Sequence, residues 1–314
     1  MLEFPGRRLS EVIRQARYGD SASQPRAGIY DDLRLTARAA ALPENRRFPC
    51  LLAVKSGLAY VSRARWNGFV TKTSEPLFNV PAVIVLTIAA FGIVHGIREL
   101  ILTSQQDVEF LLLFAFIPAR YTPAMLAVDA LPGGFGADLW TFVTYAFIHG
   151  DLTHLAINVI WLLPFGSAVA RRVGATRFLA LFAATAAAGA ALHLVTHPGE
   201  LLPMIGASAA VSGFMAAAIR FVFQAGGPLG VFRGAEAPVY HVPAVSLREA
   251  LRDPRILAFL AVWFGLNALF GIGSVSLLGV EQPVAWQAHI GGFLAGLLLF
   301  PMFDPVTVAT AAKN

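Results

Sequence analysis

The chain has 314 residues, of which 56% are hydrophobic and only 14% charged, with a formal net charge of +5. A soluble domain averages about 25% charged residues, so this composition excludes an ordinary soluble core and favours a chain that crosses a bilayer several times. The basic surplus does not point to nucleic acid, because no basic patch with interleaved aromatics accompanies a binding motif.

Residues 1 to about 78 form an arginine-rich, weakly patterned region, expected to be cytoplasmic and partly disordered. Within it Leu51–Val61 is apolar but short and carries Lys55, so it reads as an interfacial or small packed element. The single cysteine, Cys50, excludes an internal disulfide and a Cys-rich metal site. The mixed-charge start does not have the form of a cleavable signal peptide.

The first span is expected over Val80–Ile97, ending at Arg98 and Glu99. The apolar runs Val108–Ile117 and Leu139–Ile148 are too short to cross and predict re-entrant or interfacial pieces. Gly150 and Asp151 are good helix-start residues and open a second span into Phe165. Further spans are expected over Phe178–Val195, Ser208–Phe223, Ile256–Ile272 and Ala285–Phe303, followed by a short tail from residue 305. The predicted fold is an all-α integral membrane protein of six spans, with its membrane domain over residues 79–304.

Arginine fixes the orientation. Arg171, Arg172 and Arg177 lie between spans two and three, and Arg233, Arg248, Arg252 and Arg255 between spans four and five. Both connections and both termini therefore belong on the cytoplasmic side. Spans two, four and six then start at the external face, and these three carry the polar residues: His154 and Asn158 on one helical face of span two, Ser208 at the first turn of span four, and His289 at the first turn of span six. Polar groups inside a span are costly, so a shared shallow depth indicates a shared task.

A serine and a histidine supply a nucleophile and its base. Ala209, Gly213 and Ala217 on span four, and Gly292 and Gly296 on span six, form small-residue stripes that let two helices approach closely. If the stripes face each other, His289 can take the Ser208 proton. The backbone N–H of Ser208 at a helix start, with His154 and Asn158, would stabilise the oxyanion. Ser212 is the competing nucleophile, one turn deeper and without a glycine two places before it. His149 and His154 lack the spacing of a metalloprotease pair, so no metal and no other cofactor is expected. His193 and His197 are expected to face a loop or the interface.

In these motifs the chain resembles the rhomboids, a family of intramembrane serine proteases. The likeness covers roughly residues 80–303 and rests on His149, His154 and Asn158, on Gly206-Ala207-Ser208, and on Ala288-His289-Ile290-Gly291-Gly292. It implies a Ser208–His289 dyad without an acidic third member, an oxyanion site at His154 and Asn158, and supporting roles for His149, Gly206 and Gly292. It also implies an element embedded between the first two spans, and single-span membrane proteins as substrates, cut near their external ends. The family usually has glycine after the nucleophile; Ala209 stands there instead and is expected to pack more tightly against the sixth span. Two other readings compete: a catalytically silent relative that binds client transmembrane helices, and a small-solute transporter, which the lack of a repeat between halves disfavours. The compact architecture fits a bacterial plasma membrane.

Overall fold

The computed structural model describes residues 80–128, 130–228, 240–272 and 284–306, and the strands β1 (Glu3–Phe4) and β2 (Arg7–Arg8). β1 and β2 pair antiparallel, with Glu3 opposite Arg8. The chain divides into two compact units, one of Met1–Asp20 with Val80–Asn314 and one of Ser21–Asn79. The second unit, and with it Cys50 and Leu51–Val61, lies outside the described residues, as does the tail after Val306.

The other described residues of the first unit form helices and their connections. Among the described residues, four helices are long and apolar enough to cross a membrane: α1 (Ala82–Leu100), α5 (Leu152–Val173), α6 (Ala175–Thr196) and α10 (Trp286–Phe303). Two more, α7 (Ser208–Ala218) and α9 (Pro254–Ile272), are apolar with shorter apolar stretches, and the four-residue α8 (Leu247–Ala250) lies between them in sequence. Outward-facing Leu86, Ile93, Val195, Leu298 and Met302 are exposed, as expected of side chains whose solvent is lipid.

α7 ends at Ala218, short of the expected Phe223. Beyond it the N–H groups of Arg220 and Phe221 bond three residues back, and Gly226 at φ +78° turns the chain away. At 1.5 Å per residue, 11 residues make only about 16 Å, half a bilayer core. Every residue from Ala209 to Ala218 is nonetheless buried, because α6 and α10 enclose the helix.

Small residues set that enclosure. A Cβ built at Gly292 would collide with the Ala209 carbonyl, and one at Gly296 with the Gly213 backbone. Gly291 lies against Ala188 O on α6. The two stripes do face each other, and backbone contact takes the place of side-chain interdigitation.

The second expected span carries on to Val173 through a π turn at Leu162–Gly166, which accommodates Pro164. Gly174, at φ +80°, is the whole connection to α6. Arg172, expected in a loop, is therefore inside the helix and 2% exposed. It forms a bidentate pair with Asp304 at 2.9 and 2.8 Å and also donates to Tyr240 O and Val242 O, both at 2.7 Å.

At the opposite end, the connection after α1 folds into α2 (Ser104–Phe114), α3 (Pro123–Ala127) and α4 (Gly134–Thr144). α2 starts before the apolar run because Thr103 and Gln106 form a capping box. It stops at Phe114 because Phe116 pairs with Met204, N to O at 3.1 and 2.8 Å in the two directions. Arg98 is buried, pairs with Asp107 at 2.8 Å and donates to His149 O at 2.9 Å. With Ala119 N bonded to Glu200 O and Gly206 N to Tyr145 O, this connection braces the loop that leads into α7.

Candidate active site

Ser208 is the first residue of α7, so its N–H and those of the next two residues have no acceptor one turn back. The approach to it is fixed at Gly206. That residue has φ +113°, a conformation costly for any side chain, and a Cβ there would lie 2.6 Å from His154 Nε2.

His289 enters from the first turn of α10. Its Nε2 is 2.7 Å from Ser208 Oγ, so the two residues meet although 81 positions separate them. Both are partly buried. On the other side of the ring, Nδ1 is 2.6 Å from Oδ1 of Asn267 on α9. Sequence reasoning missed Asn267.

The proton positions in this chain follow from its far end. The Asn267 amide nitrogen donates to Trp263 O at 2.8 Å, and a carbonyl only accepts, which fixes the orientation of the amide. Oδ1 therefore faces the ring and accepts from Nδ1–H. Neutral His289 then has its lone pair on Nε2, where it accepts the Ser208 hydroxyl proton. This is the tautomer that a general base for serine requires.

His154 borders the same space. Its Nδ1 accepts a long bond from Gly150 N at 3.4 Å, which leaves Nε2–H directed at Gly206. Asp151 caps the start of α5 by accepting from His154 N at 2.8 Å. Asn158 is 3% exposed and donates to His154 O at 2.9 Å. His149 contributes through its backbone carbonyl to Arg98, and its ring packs on Phe91 and His154 with centroids 5.0 and 5.2 Å apart.

Ser212 is not at the base. It is buried, and its hydroxyl donates to Ser208 O at 2.7 Å. The Ala209 methyl points at Gly189 on α6, where a Cβ would come within 2.5 Å of it. The expected tightening against the sixth span is therefore corrected: Gly292 meets the Ala209 backbone, and the methyl occupies space left by Gly189. His193, expected to face a loop or the interface, is buried in the last turn of α6.

The Rhomboid domain matches residues 136–304, more than half of the chain, and takes in every residue of this site. The chain belongs to the rhomboid family. With four helices of spanning length among the described residues, it is an integral membrane protein. It is 28% identical to Rhomboid-like protease 3 of Toxoplasma gondii over 59% of this chain and 59% of that rhomboid. It is 27% identical to Rhomboid-like protein 16, chloroplastic, of Arabidopsis thaliana over 44% of this chain and 38% of the relative. A third rhomboid, RHOMBOID-like protein 12, mitochondrial, also of Arabidopsis thaliana, is 36% identical over 23% of this chain and 21% of its own. The chain thus spans about three fifths of the length of the first of these relatives and less of the other two.

Proposed function

We propose that this rhomboid is an intramembrane serine endopeptidase whose activity resides in residues 79–304, with Ser208 as nucleophile and His289 as general base. The observation that carries the reading is the directed chain Ser208–His289–Asn267, with 2.7 and 2.6 Å links and a determined tautomer. Oγ attacks the scissile carbonyl as its proton passes to His289 Nε2, and Asn267 holds the resulting imidazolium through Nδ1–H. The Ser208 backbone N–H, His154 Nε2–H and the Asn158 amide supply the oxyanion donors. On collapse His289 returns the proton to the leaving amine. The acyl-enzyme is then hydrolysed by water that His289 deprotonates in turn.

The substrates are membrane-anchored proteins, cut near the external side of a single span. In this reading α7 and α9 count as spans four and five, which gives six spans. Arg171, Arg172 and Arg177 on either side of Gly174, with Arg233, Arg248, Arg252 and Arg255 between or at the ends of α7 and α9, support the reading that both termini are cytoplasmic, in a bacterial plasma membrane.

The deciding experiment is labelling of the detergent-solubilised protein by a fluorophosphonate. Label is expected on the parent and on Ser212→Ala, and on neither Ser208→Ala nor His289→Ala. Labelling that survives Ser208→Ala would overturn the assignment. Capture of a model single-span protein without cleavage by the parent would favour the silent binder.

A further inference from the structure

A second group of ionisable side chains lies at the far end of α6, where the function above makes no use of it. His193 and His197 follow each other by one helical turn, and the chain then folds back at Gly199, φ +78°, so that Glu200 returns to them. Glu200 N donates to His197 O at 3.2 Å, and Glu200 O accepts from Ala119 N at 2.9 Å, so the turn is anchored on both sides. One ligand atom from each of His193, His197 and Glu200 lies within 4.8 Å of the other two.

Hydrogen bonding prepares one of the three, His197, as a ligand. The Thr196 hydroxyl has one hydrogen, which goes to Leu192 O at 2.9 Å or His193 O at 3.1 Å. Its 2.8 Å contact with His197 Nδ1 must then be one in which Nδ1–H donates. The lone pair of neutral His197 is therefore on Nε2, with the ring held through its other nitrogen, the usual arrangement behind a metal ligand. His193 is 6% exposed, and its Nε2 is 3.9 Å from Glu200 Oε2, too far for a hydrogen bond. Oε2 is buried and accepts no hydrogen bond from the described residues. Buried polar atoms without partners call for an explanation, and a bound ion is one.

We propose that His193, His197 and Glu200 form a zinc-class divalent cation site. Two imidazole nitrogens and one carboxylate oxygen suit a borderline-soft ion, whereas Ca²⁺ and Mg²⁺ take oxygen ligands. Bonds of about 2.0–2.1 Å at tetrahedral angles require ligand atoms roughly 3.3 Å apart. The His193–Glu200 gap is within about 0.6 Å of that. His197 is only half-buried at the helix end and can close the remainder. Water fills the fourth position. The ion would tie the end of α6 to the turn that Ala119 holds, and through Phe116–Met204 to the loop preceding Ser208. The proposal does not rest on the protease reading.

The test uses the full chain in detergent, purified through a histidine-free tag, stripped with a chelator and titrated with Co²⁺ and then Zn²⁺. One equivalent of Co²⁺ should give ligand-field absorption that Zn²⁺ displaces, and Zn²⁺ should raise the unfolding temperature. His197→Ala and Glu200→Gln, at partly exposed positions where folding is not at stake, should lose both signals while eluting as the parent does on size exclusion. Ser208→Ala should keep both signals, which separates this result from the fate of the catalytic assignment. Absence of stoichiometric uptake by the parent, or uptake unchanged in His197→Ala and Glu200→Gln, overturns the site.

Discussion

α7 and α9 both bring a residue to His289, yet they are held in opposite ways. α7 is enclosed on every side, and its neighbours touch it through backbone: Gly292 and Gly296 of α10 rest on Ala209 and Gly213. α9 is largely exposed, with Leu257, Val262, Phe264, Leu266 and Leu269 outward; of its described side chains only Ile256 and Trp263 are buried and apolar. Aromatic contacts hold it, chiefly Trp263 on Phe293 at 4.6 Å and Phe259 on Phe165 at 5.5 Å. A Cβ on Gly265 of α9 meets nothing within 4 Å. Ser208 and His289, the proposed nucleophile and base, therefore belong to a closely packed seam, whereas Asn267 is carried by a helix with room to move. The proposed activity depends on the position of α9 without α9 reaching the substrate bond.

The largest effect should come from forcing the seam apart. Gly292→Ala places a methyl into the Ala209 carbonyl; we expect a stability loss of about 1–3 kcal/mol, read by thermal unfolding, with loss of fluorophosphonate labelling. If Gly292→Ala labels at the parental rate, the seam does not set the Ser208–His289 distance. Next comes Asn267→Ala, which removes the acceptor for Nδ1–H and should slow labelling by about 10- to 100-fold, by analogy with tautomer loss in serine proteases. Its unfolding temperature should stay near the parent's, and Asn267→Asp, which keeps an acceptor, should recover most of the rate. Equal loss in Asn267→Asp and Asn267→Ala would argue that Asn267 only packs.

A smaller effect probes the side of the seam facing α6. Gly189→Ala directs a methyl at Ala209, 2.5 Å away, and at Ala288 O, 2.8 Å away. Adding Ala209→Gly should restore part of the loss, with a coupling of about 0.5–3 kcal/mol in a double-mutant cycle. The smallest change is expected for Gly265→Ala on α9, which should leave labelling unchanged and add about 0.5–1 kcal/mol of helix stability. A clear loss there would mean that α9 is packed more closely than its exposed faces indicate.

The encounter of Ser208 with His289 was legible because polar residues are rare enough in this chain for a common depth to stand out. Asn267 carried the same signal without being recognised: it is a lone amide toward the C-terminal end of the apolar Ile256–Ile272, 22 residues before His289. A helix start was readable at Asp151, whereas the capping box at Thr103 went unread and α2 begins ahead of the expected Val108. The short α7 was not, since hydropathy registers burial in protein and burial in lipid alike. The Arg172–Asp304 pair joins residues 132 positions apart, and nothing local to either announces the other. Gly189 as the counterpart of Ala209 was equally hidden, because compensation between two helices leaves no periodic trace.

The π turn in α5 has a consequence for how the two ends of the protein are coupled. Arg172 follows His154 by eighteen residues, which in an unbroken helix is about five whole turns and would return it to the face His154 uses. One wide turn around Pro164 takes up about one extra residue and swings everything below it by roughly 100°. A single rod can thereby offer its first half to the serine while its second half fastens the end of α10 through Asp304, and neither task constrains the other.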